Sequence, residues 1–278
     1  MDATTGEKSF IGVETKIFGD VEIETWPCDK VTDRLPVLLI HGMFGGGWYF
    51  EDWARFLGGK SFPVYVIKDL HEGEDLNKVD FYTYVKKSTQ VAERINGITA
   101  KKIIILGHSM GGLIAQKIAE TNPELVEGII LVTSAPPKGI SSMSWNVANA
   151  MFKHIPSLVF NLPLKIDKKS ALELIFNWLG GEEKKEYFLK KLVPESSRVA
   201  KQLAFSQISI DEKKVNCKSL VVVGRYDKLL PLKVQVGIAE KYDSDYTLFL
   251  SGHMPMLEYG QEEIIRGILH WIDKNLTH

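Results

Sequence analysis

Residues Gly107-His108-Ser109-Met110-Gly111 spell G-x-S-x-G, a spacing that can make a nucleophile of a serine. A serine hydroxyl attacks carbonyl carbon poorly at neutral pH unless it stands clear of the backbone and faces a base. The surroundings of Ser109 carry signatures of that setting. Lys102–Leu106, with Ile103, Ile104 and Ile105 in a row, reads as a strand covered on both faces, and a helical pattern opens at Met110. The serine then occupies a sharp strand-to-helix turn. Side chains two residues to either side would collide with neighbouring elements there, and Gly107 and Gly111 remove them. The helix start also aims free N–H groups at a developing oxyanion.

The base is sought among seven histidines. His41 and His108 lie in turns where the backbone does the work, and His71 and His154 precede or interrupt the core pattern. His270 and His278 fall in the last helix and the tail. His253 alone follows a late strand, Tyr246–Leu250, in the short turn Ser251-Gly252-His253. In a parallel sheet that turn lies at the carboxyl edge, beside Ser109. The orienting acid comes between them in chain order. Leu220–Val223 runs into Gly224-Arg225-Tyr226-Asp227, whereas Asp211 and Glu212 precede that strand and Asp243 and Asp245 precede the next. Asp227 is therefore the expected acid. A tetrahedral intermediate also needs two donors. One is the Met110 N–H. The other is the Met43 N–H, in the glycine-rich loop His41-Gly42-Met43-Phe44-Gly45-Gly46-Gly47 after the strand Val37–Ile40.

These residues need a scaffold, and short apolar runs alternating with helical stretches supply one. A hairpin turning at Gly19-Asp20 joins runs near Phe10–Ile17 and Val21–Trp26. Further strands are expected at Val64–Ile67 and Ile129–Val132. Helices are expected near Trp48–Leu57, Phe81–Ile95, Met110–Glu120, Lys233–Lys241 and Glu262–Asn275. Residues 135–214 break the rhythm, with helical patterns and no convincing strand. The fold class is α/β, with a core of 1–134 and 215–278 and a helical cap, 135–214, inserted after the sixth strand.

The 278 residues are 45% hydrophobic and 25% charged, an ordinary globular composition. A net charge of −1 gives no electrostatic case for nucleic acid or an anionic membrane. Cys28 and Cys217 stand far apart with no CxxC pair, so neither a disulfide framework nor a cysteine zinc site is expected, and no cofactor or metal is. No apolar run approaches a membrane span and the N-terminal residues lack a secretory core, which makes a cytoplasmic location the expectation. Two decoys fail. Gly59-Lys60-Ser61 ends like a phosphate-binding loop, but Ala54 stands where the first glycine is required. Asn275-Leu276-Thr277 matches a glycosylation acceptor without a secretory signal.

With HGMFGG, GHSMGG, GRYD and SGH in this order, the chain resembles the α/β-hydrolase superfamily, in its capped esterase, lipase and monoglyceride-lipase-like branch. The resemblance spans nearly the whole chain and implies an eight-stranded, mostly parallel sheet. It implies Ser109 as nucleophile, Asp227 and His253 as partners, Met43 and Met110 as oxyanion donors, and 135–214 as the cap. It departs where relatives often carry D-x-R-G-H-G-x-S, for this chain has Asp69-Leu70-His71-Glu72-Gly73-Glu74. Met43, Phe44, Met110, Met254 and Met256 crowd the motif loops with soft apolar side chains, and the expected cap adds Trp145 and Phe152 among others. Phe44, Trp145 and Met254 are the expected substrate contacts, and a lipophilic monoester is the expected substrate. The cap lysines, Lys165, Lys168 and Lys169 among them, alternate with glutamates and read as a solvated face. The alternatives are a signal- or ligand-binding protein on this fold, a carbon–carbon bond hydrolase, or a thioesterase.

Overall fold

The computed structural model describes residues 12–28, 33–143, 148, 152 and 154–276. Its strands are β1 (Glu14–Phe18), β2 (Val21–Trp26), β3 (Val37–Ile40), β4 (Val64–Ile67), β5 (Ile103–His108), β6 (Val126–Val132), β7 (Lys218–Gly224) and β8 (Asp245–Phe249). They form one eight-stranded sheet in the order β1-β2-β4-β3-β5-β6-β7-β8. β2 runs antiparallel to β1 and to β4, and every pairing from β4 across to β8 is parallel.

Successive side chains of β5 leave on opposite faces. Ile103 and Ile105 enter one core with Phe81 and Tyr84 of helix α2 (Phe81–Thr99), Leu113 of α3 (Met110–Thr121) and Ile238 of a later helix (Leu232–Tyr242). Ile104 and Leu106 enter the opposite core with Trp53 and Leu57 of α1 (Glu51–Gly58) and Ile268 of the last helix (Gln261–Asn275). Both faces being covered explains the unbroken isoleucine run. The chain goes from β3 outward to β4 and then returns to β5 on the other side of β3. That reversal opens a crevice at the carboxyl ends of β3 and β5. Ile40 pairs with Gly107 across it, so the glycine-rich loop and the serine turn leave the sheet side by side.

Between β6 and β7 the described residues form helical segments at Ile155–Phe160, Lys168–Ser170 continuing into a π-turn at Ala171–Ile175, Glu182–Leu189 and Ser197–Ala204. The only pairing recorded outside the named strands, among the described residues, is the Leu164–Glu195 bridge within this insert.

Several boundaries move. The hairpin's first strand begins at Glu14, and Phe10 and Ile11 lie outside the described residues. β5 extends to His108, and Asp245 begins β8 instead of preceding it. The helix expected from Trp48 opens as a 3-10 turn, Gly47–Phe50, before α1. No helix among the described residues is long and apolar enough to cross a membrane.

Candidate active site

β5 ends at His108 and the chain turns at Ser109 with φ +52° and ψ −117°. A non-glycine residue in so sparsely populated a region costs on the order of 1–3 kcal/mol and persists only where its surroundings fix it. They do so here. The Ser109 N–H donates to the Val132 carbonyl at 3.1 Å, and its own carbonyl accepts from Gly112 at 3.0 Å and Ala135 at 2.9 Å. The flanking glycines answer a close approach of backbone. A Cβ on Gly107 would sit 2.2 Å from the Gly111 oxygen, and one on Gly111 would sit 2.1 Å from the Ile40 oxygen.

Ser109 and His253 line one cavity of about 150 Å³. Met43, Phe44 and Met254 contribute its wall from the core, and Leu158, Leu174 and Leu203 from the insert. Trp145 lies outside the described residues. His253 Nδ1 lies 2.8 Å from Asp227 Oδ2, with both side chains buried. The second carboxylate oxygen, Oδ1, accepts the Leu229 and Leu230 N–H groups, each at 2.9 Å. An aspartate so fixed holds the proton on His253 Nδ1 and leaves Nε2 as the acceptor.

The histidine loop is braced by residues that the sequence reading passed over. His108 Nε2 lies 2.8 Å from the His253 carbonyl, and Thr133 Oγ1 donates to the same oxygen at 3.0 Å. Burial, aided by the nearby His253, holds His108 well below the usual imidazole value, so it stays a neutral donor. His108 was expected to matter through its backbone. Its ring matters as well, and its position at the end of a central strand was the available signal.

The Met43 loop is fixed from two sides. Tyr49 Oη donates to the Met43 carbonyl at 3.1 Å, and the Val193 N–H of the insert donates to the Phe44 carbonyl at 2.9 Å. Phe44 itself has φ +62°. Met43 thus stands on the loop after β3, and Met110 opens α3 directly after Ser109.

The loop that departs from the family pattern carries a second polar cluster. His71 Nδ1 lies 2.6 Å from Asp69 Oδ1, and its Nε2 lies 2.7 Å from Oε2 of Glu195, a fully buried residue of the insert. Tyr84 Oη donates to the other Glu195 oxygen at 2.7 Å. Burial opposes a charge on His71, but the hydrogen bonds and charges of Asp69 and Glu195 outweigh it and push the imidazole up to about 9. His71 in turn overcomes the effect of burial on Asp69 and draws that carboxyl down to about 2. Lys87 reaches the Leu70 and Glu72 carbonyls at 3.1 and 3.0 Å, tying the loop to α2. His41, Asp69 and His71 offer donor atoms within 4.8 Å of one another, a spacing a cation could use. Their nitrogens are already engaged: His41 faces the Gly42 carbonyl and the Leu70 N–H, and His71 the two carboxylates.

A crossover sheet with a strained serine at the carboxyl end of its central strand, an aspartate after the strand two places away and a histidine after the next is the arrangement of an α/β hydrolase. The chain belongs to the alpha/beta hydrolase family, whose model matches residues 37–266. Among curated proteins it is 23% identical to the sn-1-specific diacylglycerol lipase ABHD11 of Xenopus laevis over 249 residues, 87% of this chain and 76% of that one. It is 25% identical to the pimeloyl-[acyl-carrier protein] methyl ester esterase of Vibrio parahaemolyticus over 240 residues, 80% of this chain and 88% of that one. The match to the ABHD11 lipase of Xenopus tropicalis spans 50% of that protein's length. Among solved structures, a thermophilic esterase from Thermogutta terrifontis superposes with a TM-score of 0.68 at 22% identity, covering 96% of this chain and 99% of that one.

Proposed function

We propose that the protein is a serine hydrolase cleaving carboxylic esters of lipophilic acyl groups, with Ser109 as nucleophile, His253 as general base and Asp227 as orienting acid. The helical insert serves as its cap. One observation carries the reading: His253, 2.8 Å from the buried Asp227 carboxylate, lines the same cavity as the strained Ser109. In this mechanism Ser109 Oγ attacks the ester carbonyl carbon while His253 Nε2 takes the hydroxyl proton. The oxyanion that forms accepts hydrogen bonds from the Met43 and Met110 N–H groups. Collapse breaks the bond to the alcohol oxygen, which leaves with the proton held by His253. Water then repeats the sequence on the acyl-enzyme and frees the acid.

The cavity wall favours an apolar acyl group. A space of about 150 Å³ walled largely by leucine, isoleucine and methionine, with polar side chains confined to a few positions, accepts apolar ligands. Its size suits short and medium acyl chains. The likeness to two ester-cleaving relatives, a diacylglycerol lipase and a methyl ester esterase, supports ester cleavage. The test is turnover of p-nitrophenyl esters from acetate to palmitate, with rates expected to peak below the longest chains. Ser109→Ala should lower kcat by about a thousandfold or more and abolish labelling by a fluorophosphonate. Absence of both turnover and labelling in the unaltered protein overturns the reading.

A further inference from the structure

A second buried carboxylate sits at the histidine loop. Glu258, in the turn before the last helix, is 2% exposed. Its Oε2 accepts the Gly252 N–H at 2.6 Å and its Oε1 accepts the Met254 N–H at 3.2 Å. These N–H groups belong to the residues on either side of His253. Lys184 of the insert donates to the Leu257 carbonyl at 2.5 Å, next to the same residue. Gly252 has no room to move: a Cβ there would lie 2.8 Å from Glu258 Oε1 and 2.7 Å from Trp178 Cβ of the insert. The His253 carbonyl is already pinned by His108 and Thr133. Asp227 holds the ring, but no other side chain recorded among the described residues holds the loop's two N–H groups.

We propose that Glu258 is a positioning residue of the site, its carboxylate clamping the N–H groups of the residues flanking His253 and adding a negative charge beside the imidazole. The inference rests on His253 being the base. The clamp has a cost. Burial pushes Glu258 up to about 7 against the opposing pull of the two N–H groups and of His253. The titratable groups around it are His253 and Asp227, with His108 facing His253 from β5 and Lys184 approaching from the insert. Near neutrality, then, Glu258 takes up a proton as pH falls. A protonated Glu258 loses the charge and one of its two acceptors.

Glu258→Gln keeps the shape but leaves one acceptor oxygen and no charge. It should lower kcat roughly tenfold to a hundredfold with KM nearly unchanged, the signature of a misaimed group. The acidic limb of kcat/KM should be less steep than that of the unaltered protein, because Glu258 no longer contributes a proton. The melting temperature at pH 8 should hold, because removal of a buried charge offsets the lost hydrogen bond. A purely structural role predicts instead a lower melting temperature and an unchanged slope. Glu258→Asp, too short to reach both N–H groups, should fall between. Proton NMR of His253 provides a reading that needs no turnover: its titration should move to lower pH in Glu258→Gln, since a neighbouring anion favours imidazolium. A kcat within twofold of the unaltered protein, or an unmoved His253 titration, overturns the proposal. An inactive unaltered protein whose His253 titration still moves overturns the ester reading and leaves the clamp standing.

Discussion

Two buried histidines in this molecule meet carboxylates, and they differ in how many ring nitrogens a carboxylate occupies. His253 has one carboxylate, Asp227 at 2.8 Å, and its ring lines the cavity beside Ser109. His71 has two, Asp69 and Glu195 at 2.6 and 2.7 Å, one on each ring nitrogen. The second carboxylate decides the outcome. With both nitrogens donating to anions, His71 holds its proton up to about 9 and has no lone pair to offer. It is a charged rivet between the core and the insert. An imidazole that is to act as a base needs an anion on one side and a reactant on the other. The same pair of residue types thus suits adhesion or, in the role proposed for His253, proton transfer, according to what occupies the second nitrogen.

The largest effect should come from removing the single carboxylate of the first pair. Asp227→Asn preserves shape but presents an N–H where Nδ1–H needs an acceptor, and the ring turns to the wrong tautomer. A loss of about a thousandfold to ten-thousandfold in kcat is expected, with melting temperature little changed. A variant retaining a tenth of the activity would break the contrast, because His253 would then not need its acid. The second pair should respond in the opposite sense. His71→Ala leaves the buried Glu195, and the partly exposed Asp69 beside it, without their shared cation, and stranding a buried partner in this way costs about 3–5 kcal/mol. Thermal unfolding should fall by roughly 6–15 °C, with a smaller effect on kcat than Asp227→Asn. If His71→Ala reduces turnover as far as Asp227→Asn while melting normally, His71 is no rivet.

The two clusters also differ in how far they could be read in advance. The elbow is local: a strand, two glycines bracketing a serine, and a helix start, all within a dozen residues. Asp227 and His253 are each announced by the strand before them, so elimination among acids and histidines could reach them. The rivet has no such announcement. Glu195 lies 124 residues from His71 in an insert with no periodic strand pattern, and nothing in Val193-Pro194-Glu195-Ser196 marks a fully buried acid. The bracing of His253 was equally hidden, since Thr133 and His108 act from the ends of β6 and β5 on a carbonyl more than a hundred residues away. Motifs encode groups that must be near in sequence. Contacts made by the crossover of the sheet appear only once the sheet is assembled. The loop at Asp69 shows the limit most plainly. Its departure from the family pattern was visible, whereas its purpose came from Glu195.

The smallest expected effect is the one that separates the two histidines by pH. The folded-state value of His71, about 9, lies above the 6.5 of an unperturbed imidazole. A group raised in this way binds its proton more tightly in the folded chain. Its contribution to stability is therefore complete below about pH 6.5 and is lost as pH rises through 9. Asp69, drawn down to about 2, contributes above the usual carboxylate value of 3.8 and loses that contribution only as pH falls through 2. Between pH 6.5 and 9.5 the acid of this pair is thus constant and only its imidazole moves, while the titration of Glu258 near 7 is common to the unaltered protein and the His71 variant. Urea midpoints measured across that range should decline for the unaltered protein. They should decline less for His71→Gln, which has no proton there to lose. The neutral ring can still donate one hydrogen bond, so the decline should be shallower than the full cost of His71→Ala. Equal slopes for the two proteins would show that the proton on His71 does not hold the insert to the core.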